Sequence, residues 1–297
     1  MLLSAEYLLL EGSEALALPV KFDQHLYVTE NSSSDIHWTS FDQKNEIWFS
    51  AKFSLYDFKA SESSDQDVSD KITKLLKACA RQDSEFLSQW KGQKIETKLD
   101  FNREWGLGTS SSLIYCIAEW ADVSPYQLLM DTFGGSGYDI ACAGADGPII
   151  YKIKDYVISI EEASFYPPFI NNLFFVYSGN KQNSQKEVLK FQQAKNFTTT
   201  DIDTASHLTR AFNKCTSLDD FQRLISEHES LISKIIKTEP VKKRNFQDFE
   251  GEIKSLGAWG GDFILIATKH DRKYVEEYFN KKNLKDFFAY DELILKR

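Results

Sequence analysis

Two glycines and four hydroxyl-bearing residues follow one another in the stretch EWGLGTSSSL at residues 104–113, and an apolar run comes directly after them. The first N–H groups of a helix have no partners within the helix and together carry about half a positive charge. Glycines let the backbone approach an anion, and hydroxyls can bond to phosphate oxygens or hold Mg²⁺. These residue types predict a phosphate-binding loop that consists of Gly106, Leu107, Gly108, Thr109, Ser110, Ser111 and Ser112. They also suit a serine-capped helix after a glycine turn, and the Walker A pattern is absent.

A second segment, GGSGYD at residues 134–139, ends a glycine-rich stretch in a carboxylate. With little bulk around it, Asp139 could accept a proton from a substrate hydroxyl. Phosphoryl transfer needs little more from a protein than a positioned nucleophile and neutralised phosphates. An aspartate in a glycine turn is also a common turn residue.

A third segment, GAWGG at residues 257–261, has three glycines in five residues. This composition indicates that the backbone closely approaches a ligand or another segment. An ordinary connection between a helix and a strand is the alternative interpretation.

The periodicity of apolar residues predicts the elements that must position these segments. The first 60 residues are β-rich, with apolar runs at 8–10 and 15–20 around a turn. Ser124, Pro125 and Gln127 predict a helix start with a capping box, and this helix should stop at Gly134. The other predicted strands lie at 47–53, 94–101, 173–177 and 291–296, and one more follows Asp262. A hairpin is predicted at 149–160. The other predicted helices lie at 68–79, from Leu113 on and after Ser217.

Strands and helices alternate without a Rossmann-type rhythm, which predicts the α+β class. A chain of 297 residues is too long for one average domain and fits two. The pattern restarts near Pro167 and Pro168. We therefore place one domain at residues 1–166 and a second at residues 167–297.

Composition and charge exclude several classes of protein. Hydrophobic residues make up 42 % of the chain and aromatic residues 14 %, enough for substantial cores. The net charge of −9, without a basic stripe, argues against a nucleic-acid partner. Four scattered cysteines without a CxxC pattern favour reduced thiols, and acidic residues interrupt the apolar N-terminus, which is neither a signal peptide nor a membrane span. We expect a cytoplasmic protein that binds neither nucleic acid nor membrane.

Taken together and in this order, the three glycine-rich segments resemble the GHMP kinases, which are ATP-dependent small-molecule kinases that include galactokinase, homoserine kinase, mevalonate kinase and phosphomevalonate kinase. The N-terminal stretch is similar to the first motif of that family, in which glycine and glutamate precede histidine or tyrosine; Glu6 and Tyr7 match it, and Ala5 replaces the glycine. The pentapeptide GYDIA at residues 137–141 resembles that of a bacterial branch. The resemblance covers nearly the whole chain.

The resemblance implies a ribosomal-S5-domain-2-like N-terminal domain and a ferredoxin-like C-terminal domain. It implies that ATP phosphates bind the Gly106–Ser112 loop, that Ser110 helps to hold Mg²⁺, and that Asp139 acts as base toward the substrate hydroxyl or orients it. A homodimer is a family expectation. The residues suggested for substrate binding are Glu6, Ser136, Gly137, Lys181, Ser184 and Gly260, with Asn183 as a further candidate for a substrate anion.

The sequence departs from the mevalonate kinase pattern at three places. No lysine precedes Glu6, so either the chain starts late or another cation serves, with Lys21 and Lys181 as the candidates. The glutamate that mevalonate kinases use for magnesium would fall near Leu128, which cannot bind a metal ion. Asp262 is an unexpected acid directly after the third glycine-rich segment.

We therefore expect an ATP-dependent small-molecule kinase that transfers the γ-phosphate to a hydroxyl of a small acid, with mevalonate favoured as the acceptor and isoprenoid precursor synthesis as the setting. Phosphomevalonate kinase is one alternative. A non-catalytic homologue that binds a nucleotide or metabolite is the other alternative, and the missing lysine, Leu128 and Ala5 are the observations that motivate it.

Overall fold

The chain folds as two compact units in a computed structural model that describes residues 1–179, 184–257, 259 and 262–296, with the backbone alone at 184–186. The smaller unit consists of Phe22–Arg103 and Gly108–Gly144. The larger unit consists of Met1–Lys21, Glu104–Leu107 and the chain from Ala145 on. The boundary that we place between residues 166 and 167 stays a prediction.

The strands, in chain order, are β1 (Ala15–Ala17), β2 (Gln24–Glu30), β3 (Asp35–Phe41), β4 (Ile47–Ser54), β5 (Ala60–Ser63), β6 (Gln93–Leu99), β7 (Ile149–Lys154), β8 (Val157–Glu162), β9 (Leu173–Tyr177), β10 (Glu252–Ser255), β11 (Phe263–Ala267) and β12 (Phe287–Ala289). The α-helices are α1 (Gln66–Gln82), α2 (Thr109–Ala121), α3 (Pro125–Thr132), α4 (Tyr138–Ala143), α5 (Ser184–Ala194), α6 (Thr199–Lys214), α7 (Leu218–Ile236), α8 (Val241–Asn245), α9 (Arg272–Lys281) and α10 (Tyr290–Leu293). This mixture confirms the α+β class.

The smaller unit is built on a five-stranded sheet with the order β2-β6-β3-β4-β5. Strands β3 and β6 are parallel, and the other neighbours are antiparallel. Alternation along β4 turns Phe49 and Phe53 inward, where they pack with apolar residues of α1, α2 and α3 in one core. Because α2 packs into this core, the core fixes the position of its first turn within the smaller unit.

The larger unit contains, within its described residues, a three-stranded sheet β1-β7-β8 and a four-stranded sheet β10-β11-β9-β12, both antiparallel throughout. Strand β11 is buried along its whole length, as expected for a strand covered on both faces. Apolar side chains of β9, β11, α8 and α9 form one core of this unit.

Local capping explains several helix starts. The Ser124 hydroxyl accepts the N–H of Gln127 at 3.3 Å, and Ser217 caps α7 in the same way, as predicted. The capping box predicted at α3 is wrong in its second half, because among the described contacts the Ser124 N–H has no bond to the Gln127 side chain. The amide of that side chain donates to Asp131 at 2.7 Å.

Two predicted β segments are helical. Leu8–Glu11 is a 3₁₀ helix, and residues 290–293 of the predicted last strand form α10. At α10 the Glu292 carboxylate accepts the Ala289 N–H at 2.9 Å, and this local cap favours a helical turn. Only Ile294 keeps a strand-like bridge, to Val20.

Across the described residues, each helix is too short or too polar to cross a lipid bilayer.

Candidate functional site

The first turn of α2 is left open by the residue that precedes it. Gly108 is the N-cap with φ 88°, and without a side chain it cannot cap the helix. Apart from its chain neighbours, no described atom lies within 4 Å of the position that a Cβ of Gly108 would take. Thr109 is half-buried and Ser110 is exposed. The serine-capped alternative is therefore wrong, and the unpaired amides of this turn, with the helix dipole behind them, can accept an anion.

Asp139 lies in the same unit, in the first turn of α4, and is bound to α2. The Ser111 hydroxyl donates a short hydrogen bond to Asp139 Oδ2, and the Ile140 N–H donates to Asp139 Oδ1 at 3.1 Å. A carboxylate has about four acceptor positions, so two bonds hold its orientation and leave acceptor capacity for a substrate hydroxyl. The structure thus brings two of the predicted site residues, Ser111 and Asp139, into direct contact.

Ser112 faces a different partner. Its hydroxyl donates to the side-chain oxygen of Gln24, the first residue of β2, at 2.6 Å. This bond ties α2 to the sheet of the smaller unit. A direct role of Ser112 toward phosphate stays a prediction.

The start of the predicted phosphate loop belongs to the larger unit and is anchored there. Trp105 Nε1 donates to Asp286 Oδ2 at 2.8 Å, and its ring meets Phe288 edge-on with centroids 5.0 Å apart. The Tyr177 hydroxyl donates to the Glu104 carbonyl at 2.8 Å. Sequence reasoning missed these anchors, because Tyr177 and Asp286 are far away in the chain.

Gly106 and Asp262 pack against each other in the larger unit. Gly106 has φ 69°, and a Cβ there would overlap the Asp262 carboxylate. Asp262 itself has φ 43°, and its carbonyl accepts the Ser178 N–H at 2.7 Å. Both the conformation and the close approach require glycine at position 106, and the unexpected Asp262 is the residue whose carboxylate packs there.

The residues of the first motif adopt a strained conformation in the larger unit. Ala5 has φ 62° and Tyr7 has φ 68°, which explains why a glycine would suit position 5. The Glu6 carboxylate is buried and forms a short ion pair with Lys254. Contact between Glu6 and a substrate stays a prediction.

The remaining predicted residues are dispersed. Gly137 is buried with φ 78° directly before α4, and Ser136 is half-buried beside it. Ser184 begins α5, and its side chain lies outside the described residues. Lys181, Asn183 and Gly260 also lie outside the described residues. The candidate cation Lys21 donates to the Asp291 carbonyl at 2.5 Å.

The residues available for a metal ion are few on the described surface of α2 and α3. Leu128 is fully buried in the core, so it cannot serve as a ligand. Asp131 accepts side-chain bonds from Gln82 at 2.9 Å and Gln127 at 2.7 Å. The Ser110 hydroxyl is exposed on the first turn of α2 and fits a hydroxyl ligand of Mg²⁺.

The fold is that of solved GHMP kinases. Mevalonate kinase of Methanococcus jannaschii superposes with a TM-score of 0.71 at 15 % identity, covering 100 % of this chain and 96 % of that one. Streptococcus pneumoniae phosphomevalonate kinase in complex with phosphomevalonate and AMPPNP gives 0.66 at 15 % identity, with 96 % and 95 % covered. Lactococcus lactis galactokinase complexed with galactose gives 0.64 at 11 % identity, with 98 % and 89 % covered.

No protein-family model matches the sequence, and a search of curated proteins also finds no match. At 11–16 % identity the structural similarity establishes the two-domain GHMP kinase fold, which confirms the predicted fold class.

Proposed function

We propose that the protein is an ATP-dependent kinase that phosphorylates a hydroxyl group of a small acid, with mevalonate as the favoured acceptor. The observation that carries this proposal is the hydrogen bond between Ser111 and Asp139. It joins an uncapped helix N-terminus, which suits a polyphosphate, to a carboxylate that suits a substrate hydroxyl.

The similar solved structures support the choice of substrates. They include a mevalonate kinase and a phosphomevalonate kinase with its substrate and an ATP analogue bound. Both acceptors carry a hydroxyl and a carboxylate, and the net charge of −9 means that such anions need local binding groups. Phosphomevalonate is therefore the second acceptor to test.

In the proposed reaction the first-turn amides of α2 bind phosphate oxygens, and the hydroxyls of Thr109 and Ser110 add further hydrogen bonds. Asp139 accepts a hydrogen bond from the acceptor hydroxyl and takes its proton as the new O–P bond forms. The bond between the γ-phosphorus and the β–γ bridging oxygen breaks, ADP leaves with that oxygen, and Ser111 holds the carboxylate in place. Mg²⁺, when bound, supplies positive charge to the phosphate oxygens, and Ser110 is the residue we propose to help hold it. We infer a cytoplasmic location from the reduced-thiol sequence pattern.

The test is turnover of ATP with mevalonate, phosphomevalonate, homoserine and galactose. Replacing Asp139 with Asn should lower kcat by about 10²–10⁴-fold, the usual contribution of a positioned general base. Asp70→Asn is the matched control, because Asp70 is an exposed helical aspartate of the same unit. Absence of turnover across the panel, or an Asp139→Asn variant as active as the control, would contradict the proposal.

A non-catalytic nucleotide-binding protein is the second candidate. Leu128 favours it, because this fully buried side chain lies near the place where mevalonate kinases have a magnesium-binding glutamate and cannot bind a metal ion. Loss of one charge-stabilising group can reduce kcat by about 10²–10³-fold. Calorimetry separates the candidates, since tight ATP binding without turnover on any acceptor supports the second one.

A further inference from the structure

Two aspartates and a histidine lie together at one end of the sheet in the smaller unit. Asp23 directly precedes β2, His25 belongs to β2, and Asp100 directly follows β6. One ligand atom from each of the three residues can be chosen so that all three atoms lie within 4.8 Å of one another. Imidazole nitrogen and carboxylate oxygen are both common ligands of metal ions in proteins. This set of donors therefore has the composition of a metal site.

The backbone of two paired strands fixes this arrangement. Strands β2 and β6 are antiparallel with Gln24 opposite Leu99, and the Asp100 N–H donates to the Asp23 carbonyl at 3.0 Å. The pairing thus continues to Asp23 and Asp100, which lie opposite each other. Side chains two residues apart in a strand point to the same face, so His25 projects beside Asp23.

The charges of the two carboxylates are not balanced within the protein. Like charges directly opposite each other on neighbouring strands destabilise a sheet. In the described part of the chain no lysine or arginine forms an ion pair with Asp23 or Asp100, and the charged partner of Asp100 is His25. A histidine carries one positive charge at most, so the group keeps at least one negative charge. A bound divalent cation would compensate it.

The distances in the group suit a small transition-metal ion. Zn²⁺ binds nitrogen and oxygen at about 2.0–2.2 Å, which places neighbouring donors of a tetrahedral site about 3.3 Å apart. His25 Nε2 and Asp100 Oδ2 are 3.0 Å apart, and their side chains are 39 % and 44 % exposed, which leaves them room to rotate slightly around an ion. Mg²⁺ prefers oxygen ligands and keeps several waters, so the imidazole nitrogen favours a transition metal over Mg²⁺.

The group lies on the face of β2 that is turned away from α2. Gln24 stands between Asp23 and His25 in the chain, and its side-chain oxygen accepts the Ser112 hydroxyl of α2 at 2.6 Å. Successive residues of a strand point to opposite faces. The group is therefore separate from the first turn of α2 and from the Mg²⁺ ligand that we propose at Ser110.

We propose that Asp23, His25 and Asp100 bind one divalent transition-metal ion of the Zn²⁺ class, which joins the ends of β2 and β6. Three protein ligands leave a fourth position, which water fills. This inference goes beyond the proposed kinase function and does not depend on it.

The experiment titrates the full chain, freed of metal with a chelator, with ZnCl₂ and measures binding by calorimetry. His25→Ala and Asp23→Asn should each weaken Zn²⁺ binding by at least about 10-fold, since even a residue that only orients a metal ligand contributes about 10–100-fold. The controls are His37→Ala and Asp70→Asn, which should bind Zn²⁺ like the wild type. His37 is an exposed histidine on β3 of the same sheet, and Asp70 is an exposed aspartate of α1.

NMR of the wild type locates the ion without any substitution. On addition of ZnCl₂ the ring signals of His25 should shift. Amide exchange at Asp100, whose N–H bonds Asp23, should slow by about 10-fold or more, because the ion stabilises the closed end of the strand pair.

Three outcomes overturn the inference. His25 ring signals that Zn²⁺ leaves unchanged show that the group is an ordinary ion pair. Equal Zn²⁺ affinity in His25→Ala and His37→Ala shows that the ion binds elsewhere, because His25 supplies the nitrogen ligand of the set. Unchanged exchange at Asp100 in the Zn²⁺-bound chain shows that the ion does not join β2 and β6. None of these readouts requires turnover, so failure of the proposed function appears separately, as a wild type that phosphorylates no acceptor of the panel.

Discussion

The contact between Ser111 and Asp139 is the single interaction on which the proposed chemistry depends most. The hydroxyl donates to the carboxylate, so it fixes the direction of the free lone pairs of the carboxylate. A hydroxyl that donates its single proton to Asp139 has no proton left to donate to a phosphate oxygen. We therefore expect Ser111 to affect the chemical step more than nucleotide binding.

Ser111→Ala tests this division of roles. We expect kcat to fall by about 10-fold, which matches the loss of one hydrogen bond to a charged group, while the Kd for ATP changes by less than about 3-fold. Ser69→Ala is the control, because Ser69 is a fully buried helical serine of the same unit that bonds Ser63. A weaker Kd with unchanged kcat would show instead that the Ser111 hydroxyl binds phosphate.

Glu229 makes stability depend on pH. Burial raises the pKa of this carboxyl from 4.5 to about 8, with Glu6 adding to the rise and Lys254 opposing it. Because the folded state then binds more protons than the unfolded state between pH 4.5 and 8, the free energy of unfolding falls as pH rises through that window. At about 1.4 kcal/mol for each pKa unit, the loss is at most about 5 kcal/mol above pH 8.

The Glu229→Gln variant should lack this loss, so its stability relative to wild type should increase from pH 5 to pH 9. Urea denaturation at five pH values measures the difference between the two proteins, and the comparison removes the titration of all other groups. Glu252→Gln, at a half-buried position, should show no such trend. If the free energies of unfolding of Glu229→Gln and wild type changed with pH in parallel, the raised pKa of Glu229 would be contradicted.

Among single residues, those of the motifs could be predicted from the sequence, and the buried charged residues Glu229 and Lys254 could not. Ser111 and Asp139 stand in glycine-rich contexts that indicate chemistry. Lys254 lies in a short strand covered on both faces, and no local pattern distinguishes a buried lysine there from an exposed one. A weak signal existed for Glu229, since it follows Ile225 by four residues and precedes Ile232 by three, within the buried stripe of α7.

The first turn of α2 is the element that would bind the nucleotide. Its N-cap, Gly108, leaves the amides of this turn without a side-chain cap. Gly108 has φ 88° and open space around its Cβ position, so a substitution there would add strain and bulk in front of the amides. Gly134 in the same unit has φ 66° and is equally open. Substitutions at Gly108 and Gly134 can therefore be compared to separate the effect of backbone strain from an effect on nucleotide binding.

Gly108→Ala and Gly134→Ala should each lower the free energy of unfolding by about 1 kcal/mol, because both place an L-residue in a left-handed conformation. Only Gly108→Ala should weaken ATP binding, by about 10-fold, as the methyl group hinders the approach of the phosphates. Titration calorimetry and denaturation provide the two readouts. Equal ATP affinity in both variants would place the nucleotide elsewhere.

Elements with strong periodicity could be predicted from the sequence, and short segments could not. The helix after Ser217 and the strand Leu173–Tyr177 are confirmed. The mixture of apolar and charged residues at 290–293 predicts a strand. The hydrogen bond from the Ala289 N–H to the Glu292 carboxylate favours a helical turn instead. The apolar run at residues 8–10 forms a 3₁₀ helix, because Gly12 with φ 95° closes it after one turn.

For the whole molecule, the sequence predicts the fold class better than it predicts which segments pack together. The predicted phosphate loop changes unit between Leu107 and Gly108, and the N-terminal 21 residues belong with the chain from Ala145 on. Linear periodicity contains no information on such long-range packing, because it reports only the face that an element buries. The order of the motifs, by contrast, predicts the fold that this chain shares with solved mevalonate and phosphomevalonate kinases.

The most direct test of the central claim is a crystal structure of the protein with AMPPNP, Mg²⁺ and mevalonate. We expect the phosphates on the amides of Thr109, Ser110 and Ser111, and the acceptor hydroxyl within about 3 Å of an Asp139 carboxylate oxygen. A nucleotide bound away from the first turn of α2, or an acceptor hydroxyl out of reach of Asp139, would contradict the account.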